Sequence, residues 1–95
     1  MLGGINGFTF RPATYNGYFN AINTPGFVYF EIKDDEEYAP ANMTGSRWWW
    51  VFTFGRNDLV QIAWSNQTNE AGNGLYMRKG GTRGTNWNNQ SWRKL

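Results

Sequence analysis

Apolar positions in this chain recur at a spacing of two, in short runs, and rarely at the three-to-four spacing of a helix. Gly and Asn interrupt nearly every window long enough for several helical turns. The runs between them are aromatic or β-branched, which is strand chemistry. The first clear strand is predicted over 26–32, entered through the turn residues Thr24-Pro25-Gly26. Alternation puts Phe27, Tyr29 and Glu31 on one face and Val28, Phe30 and Ile32 on the other, and the second, wholly apolar face is expected to meet the core.

A second strand is predicted over 47–54. Trp48, Trp50, Phe52 and Phe54 share one face and Trp49, Val51 and Thr53 the other. Four large aromatics on one face read as core, which leaves Trp49 as the candidate for an interface or ligand contact. After the turn Gly55-Arg56-Asn57, a third strand is predicted over 58–65. Its apolar face is Val60, Ile62 and Trp64, with Leu59, Gln61 and Ala63 opposite. A short Gly-containing break between two such runs is a hairpin signal. A short strand follows at 75–78, then a flexible loop at 79–84, and residues 86–95 close the chain with Trp87 and Trp92 among amides. Upstream, residues 1–19 read as a lead, with a short helical turn near 18–22. The fold class is therefore mainly β: a small antiparallel sheet domain with long loops and little helix.

Composition narrows the chemistry. The 95 residues contain no Cys and no His. That removes disulfides, thiol nucleophiles, imidazole bases and the usual zinc ligands. Serines 46, 65 and 91 have no imidazole to activate them, and Lys79-Gly80-Gly81-Thr82 lacks the phosphate-loop frame. Nothing sets one carboxylate against another for glycoside hydrolysis. The acidic run Asp34-Asp35-Glu36-Glu37 lacks the alternating spacing and the Gly of a calcium loop, so it reads as a solvated loop. No enzyme activity, metal or cofactor is expected. Aromatics make up 19% of the chain, and large rings or oligomerisation are the remaining means of stabilising so small a domain. No apolar run is long enough for a membrane helix, so no membrane insertion is expected, and the first residues lack the pattern of a secretory signal.

Charge is unevenly placed. Residues 1–70 carry four bases and seven acids, a balance of −3; residues 71–95 carry five bases and no acid, +5; the total is +2. The expectation is that Arg78, Lys79, Arg83, Arg93 and Lys94 pair with the acidic loop, in the same chain or in a neighbouring subunit. A polyanion partner is the weaker reading.

Taken in order, the segments Asn20-Ala21-Ile22-Asn23-Thr24-Pro25-Gly26-Phe27-Val28-Tyr29, Val60-Gln61-Ile62-Ala63-Trp64, Leu75-Tyr76-Met77-Arg78, Gly84-Thr85-Asn86-Trp87 and Ser91-Trp92-Arg93-Lys94-Leu95 resemble the knob domain of phage tail fibres and R-type pyocin fibres. The resemblance covers residues 20–95 and rests on the order and spacing of the pieces together. Gln61, Tyr76, Arg78 and Trp92 match framework positions of that family. Trp87 and Trp92 stand farther apart than the family's tryptophans, so the family's position falls on one or the other, and the Trp48-Trp49-Trp50 run is heavier than the family's aliphatic strand. The resemblance implies a non-enzymatic domain of a homotrimeric fibre. Such a domain is made in the bacterial cytoplasm, carried on the virion tail and works outside the cell on bacterial surface polysaccharide.

Within that expectation the candidate ligand contacts are Trp49, Trp87, Asn88, Asn89 and Trp92. Indoles can hold sugar rings, and the neighbouring amides of Asn86, Asn88, Asn89 and Gln90 offer both donors and acceptors to hydroxyls. Two other readings remain. One is a purely structural spacer or cap in a fibre, in which these tryptophans only close the core. The other is a small single-stranded nucleic-acid binder with aromatics among bases, disfavoured by a net charge of only +2.

Overall fold

The computed structural model describes residues 10–43, 45–70, 72–85 and 87–95, with the backbone alone for 10–16. It contains one six-stranded sheet in sequential order: β1 (Phe10–Gly17), β2 (Gly26–Ile32), β3 (Trp48–Gly55), β4 (Asp58–Ser65), β5 (Tyr76–Thr82) and β6 (Arg93–Lys94). β2 to β6 form a five-stranded antiparallel meander. The mainly β fold predicted from the pattern is the one observed, and the described residues contain no α-helix, only 3-10 turns at Phe19–Ala21 and Pro40–Asn42.

β1 is the exception to antiparallel order, since it pairs with β2 in parallel. A parallel neighbour requires the chain to travel back along the strand. Residues 18–25, which include the 3-10 turn at Phe19–Ala21, make that return. This crossover lies over one face of the sheet and puts Phe19 and Ile22 in the core. Within the segment 1–19 expected as a lead, the backbone of Phe10–Gly17 pairs with β2 and Phe19 enters the core. Residues 1–9 of that lead lie outside the described residues.

The β3–β4 hairpin turns at Gly55, where φ is +124° and a Cβ would lie 2.2 Å from the Asp58 carbonyl oxygen. Only glycine closes this turn. β5 continues to Thr82, so most of the loop expected at 79–84 is strand. Its register shifts by one residue at Gly80, a bulge that restores the inward direction at Gly81.

The faces of β3 and β4 are the reverse of those expected. Buried are Trp49, Val51 and Thr53 on β3 and Leu59, Gln61 and Ala63 on β4. Trp48, Trp50, Phe54, Val60, Ile62 and Trp64 are half-buried, and Phe52 is 37% exposed. The register gives the cause. Phe30 pairs with Trp49 and Val28 with Val51, so these residues follow the β2 core face, which is buried as expected. The interior is the face that the crossover, the loop 33–43 and the C-terminal segment can cover.

Candidate functional site

The interior carries a polar network. Arg78, on β5, is 2% exposed. Its Nε donates to Gln61 Oε1 at 2.8 Å, its Nη1 to Asn20 Oδ1 at 2.8 Å and its Nη2 to the Phe19 carbonyl at 3.1 Å. Its guanidinium lies 4.4 Å from the Trp87 ring and 4.5 Å from the Trp92 ring. The cation is therefore held between two indoles, in the geometry that favours a desolvated charge over an aromatic face. Burial pushes the guanidinium down to about 9, opposed by the nearby Glu36 carboxylate, and it remains charged at neutral pH. Gln61 Nε2 donates to the Ile22 carbonyl at 2.8 Å and to Thr53 Oγ1 at 3.0 Å. Trp87 Nε1 donates to the same Ile22 carbonyl at 2.8 Å. These bonds tie crossover, β3, β4, β5 and C-terminal segment together, and they explain why Thr53, Gln61 and Arg78 point inward.

Above this network lies a cleft of about 260 Å³, walled by Glu37, Tyr38 and Asn42 on one side and Asn89, Ser91 and Trp92 on the other. Two turns of the same build face it. In Pro40–Met43 and in Trp87–Gln90 the fourth N–H donates to the first carbonyl, at 3.0 and 3.1 Å. The central pairs, Ala41–Asn42 (φ 53° and 58°) and Asn88–Asn89 (φ 50° and 57°), are left-handed. They are the described non-glycine residues with positive φ, and Ala41, Asn42 and Asn89 line this cleft. Asn adopts this conformation readily and Ala does not. The walls are pinned from behind. Buried Glu36 accepts the Phe19 N–H at 2.8 Å and the Tyr38 N–H at 2.9 Å. Trp92 Nε1 donates to the Tyr38 carbonyl at 2.7 Å, and Asn20 Nδ2 donates to Asn89 Oδ1 at 3.2 Å. A second hollow, about 330 Å³, adjoins it and shares Glu37 and Tyr38, with Tyr18, Asn20 and Asp35 on its far side.

The opposite side of the sheet is an aromatic surface. Tyr29, Trp50 and Trp64 form a row across β2, β3 and β4. Tyr29 and Trp50 stack at 4.6 Å and Trp50 and Trp64 at 6.1 Å, with interplanar angles of 30° and 13°. Trp48 stacks on Tyr29 at 5.1 Å. The next row is Phe27, Phe52, Ile62 and Met77. The 4.6 Å between Tyr29 and Trp50 matches the ~4.8 Å strand spacing.

The sequence-predicted residues separate cleanly. Trp49 and Trp87 are 0% exposed, and each indole N–H is satisfied internally, that of Trp49 by the Ser46 carbonyl at 2.8 Å. Both therefore lie in the interior and not at the surface where a ligand contact was expected. Asn89 and Trp92 line the cleft, and Asn88 sits beside it in the turn; Asn86 lies outside the described residues. Gln61, Tyr76 and Arg78 are buried. The outward aromatic row and the part played by Glu37, Tyr38 and Asn42 were missed, although Pro40 before Ala41-Asn42 was a turn signal.

The carboxylates of the acidic loop go to separate partners. Arg47 pairs with Asp34 and, at 3.3 Å, with Glu31. Asp35 accepts from the Tyr18 hydroxyl at 2.7 Å. Lys79, Arg83, Arg93 and Lys94 form no ion pair among the described residues, so their expected pairing with the acidic loop of the same chain is not found. No helix among the described residues is long and apolar enough to cross a membrane. Compared with protein families, curated proteins and solved structures, the chain matches none.

Proposed function

We propose that this chain is a non-enzymatic knob-type domain of a phage or phage-like tail fibre, assembled as a homotrimer and contributing to recognition of the host cell surface. One observation carries the reading: an outward sheet face built of Phe27, Tyr29, Trp48, Trp50, Phe52 and Trp64 on a domain whose core is already complete behind it. Its rings lie on three strands, which at ~4.8 Å spacing and about eight residues of ~3.3 Å rise make a face of roughly 400 Å². The cations of residues 79–94 have no acid partner within the described chain, and the acidic loop of a neighbouring subunit would supply one.

Sedimentation of the full chain tests this assembly. The wild type is expected near three chain masses. The Trp50→Ser/Trp64→Ser variant is expected to be monomeric with its circular dichroism unchanged. A wild type that is monomeric at high concentration contradicts the reading.

A further inference from the structure

We propose that the cleft between residues 37–42 and 89–92 is a saccharide site selective for uncharged sugars over anionic ones. This rests on the host-surface reading above and names its site and ligand class. The cleft has the parts that sugar recognition needs. Trp92 supplies a half-buried aromatic wall. Asn42, Asn89 and Gln90 supply amides that both donate and accept, Ser91 a hydroxyl, and Glu37 a carboxylate that accepts from sugar hydroxyls. The volume of about 260 Å³ sits at the small end of ligand pockets, fitting one sugar ring. The hollow beyond Glu37 and Tyr38 gives the next ring a place.

Selectivity follows from charge. Neither hollow is lined by Lys or Arg. Arg78, which lies beneath the walls, is 2% exposed, uses each guanidinium nitrogen on Gln61, Asn20 or Phe19 and is shielded by the two indoles. An anionic sugar would meet Glu37 and Asp35 with nothing opposite, and like charges disfavour it. The rigidity of the site supports binding rather than chance concavity. Left-handed Ala41 is conformationally costly, and the hydrogen bonds accepted by Glu36 and donated by Trp92 and Asn20 fix both walls before a ligand arrives, which lowers the ordering cost of association.

The test uses the full ¹⁵N-labelled chain. Lactose, chitobiose and maltotriose serve as neutral probes, glucuronate and 3′-sialyllactose as anionic ones. At least one neutral probe is expected to shift the amides of 37–42 and 89–92. Asn42→Gly, which keeps the left-handed turn and removes the amide, is expected to weaken that probe about tenfold. Glu37→Gln is expected to weaken that probe and to admit the anionic ones, lowering the ratio of neutral to anionic affinity about tenfold. Anionic probes binding the wild type as well as neutral ones overturns the ligand class. No probe shifting the cleft, while sedimentation still shows the trimer, overturns the site and leaves the knob reading standing. Binding in the cleft of a monomeric chain retains the site and removes the assembly.

Discussion

Arg78 shows what a single residue does here. A buried cation stabilises only if every donor is used and the ring faces offset lost hydration. Its planar fork reaches three acceptors in three segments, and lysine has no such fork. Arg78→Lys is therefore expected to lower stability by about 2 kcal/mol or more, and Arg78→Ala by about 3–5 kcal/mol because three acceptors are orphaned; urea unfolding measures both. Trp87 depends on a neighbour that is nearly absent. A Cβ on Gly81 would lie 2.5 Å from the Trp87 ring. Gly81→Ala is expected to cost at least ~2 kcal/mol through overpacking, with a change in tryptophan fluorescence as the ring is displaced. A substitution without effect in both assays would show that Trp87 does not pack there. Ala41 works in the opposite sense. Ala41→Gly is expected to be neutral or stabilising by up to ~1 kcal/mol, because relief of left-handed strain offsets the added freedom of the unfolded chain. Ala41→Val is expected to lower the Tm.

At the scale of elements, the strands were legible and their direction was not. The observed β2 and β4 coincide with the segments 26–32 and 58–65 expected from alternation and turn residues. Which face of β3 and β4 turns inward depends on register and on what covers the sheet, and both arise from segments far apart in sequence. The aromatic face looked like core because apolarity was weighed alone. The decisive signal was polar. Thr53, Gln61 and Arg78 fall on one face of their strands, and a connected polar set belongs inside only if its members satisfy each other. Trp92 and Asn89 were recognisable as cleft residues from aromatics set among amides, whereas Glu37, Tyr38 and Asn42 come from a loop that local pattern could not bring to them. The inverted faces yield a paired expectation. Val51→Thr places a hydroxyl in the apolar interior and is expected to cost about 1–3 kcal/mol. Val60→Thr, on the outward face, is expected to cost no more than ~0.5 kcal/mol. Equal costs in thermal unfolding would contradict the assignment.

For the whole molecule, the core and the outer face divide the stabilising work. The covered side holds Trp49, Val51, Phe30 and Phe19 beside the Arg78 network. The open side holds Tyr29, Trp50 and Trp64 outside that core. Assembly through that side would be driven by apolar burial, and the opposed charges at its margins would orient it, so rising salt should slow association more than it weakens it. A stopped-flow dilution series at two ionic strengths checks that sign.

The central claim is that the tryptophans divide into an interior set and an assembly set. Hydroxyl-radical footprinting, read residue by residue by mass spectrometry across the concentrations of the sedimentation transition, tests it most directly. Trp49 and Trp87 should stay protected throughout, while Trp50 and Trp64 should be protected in the assembled chain and labelled after dilution. Labelling of Trp49 in the folded chain, or of Trp50 and Trp64 to the same extent at every concentration, would contradict the account.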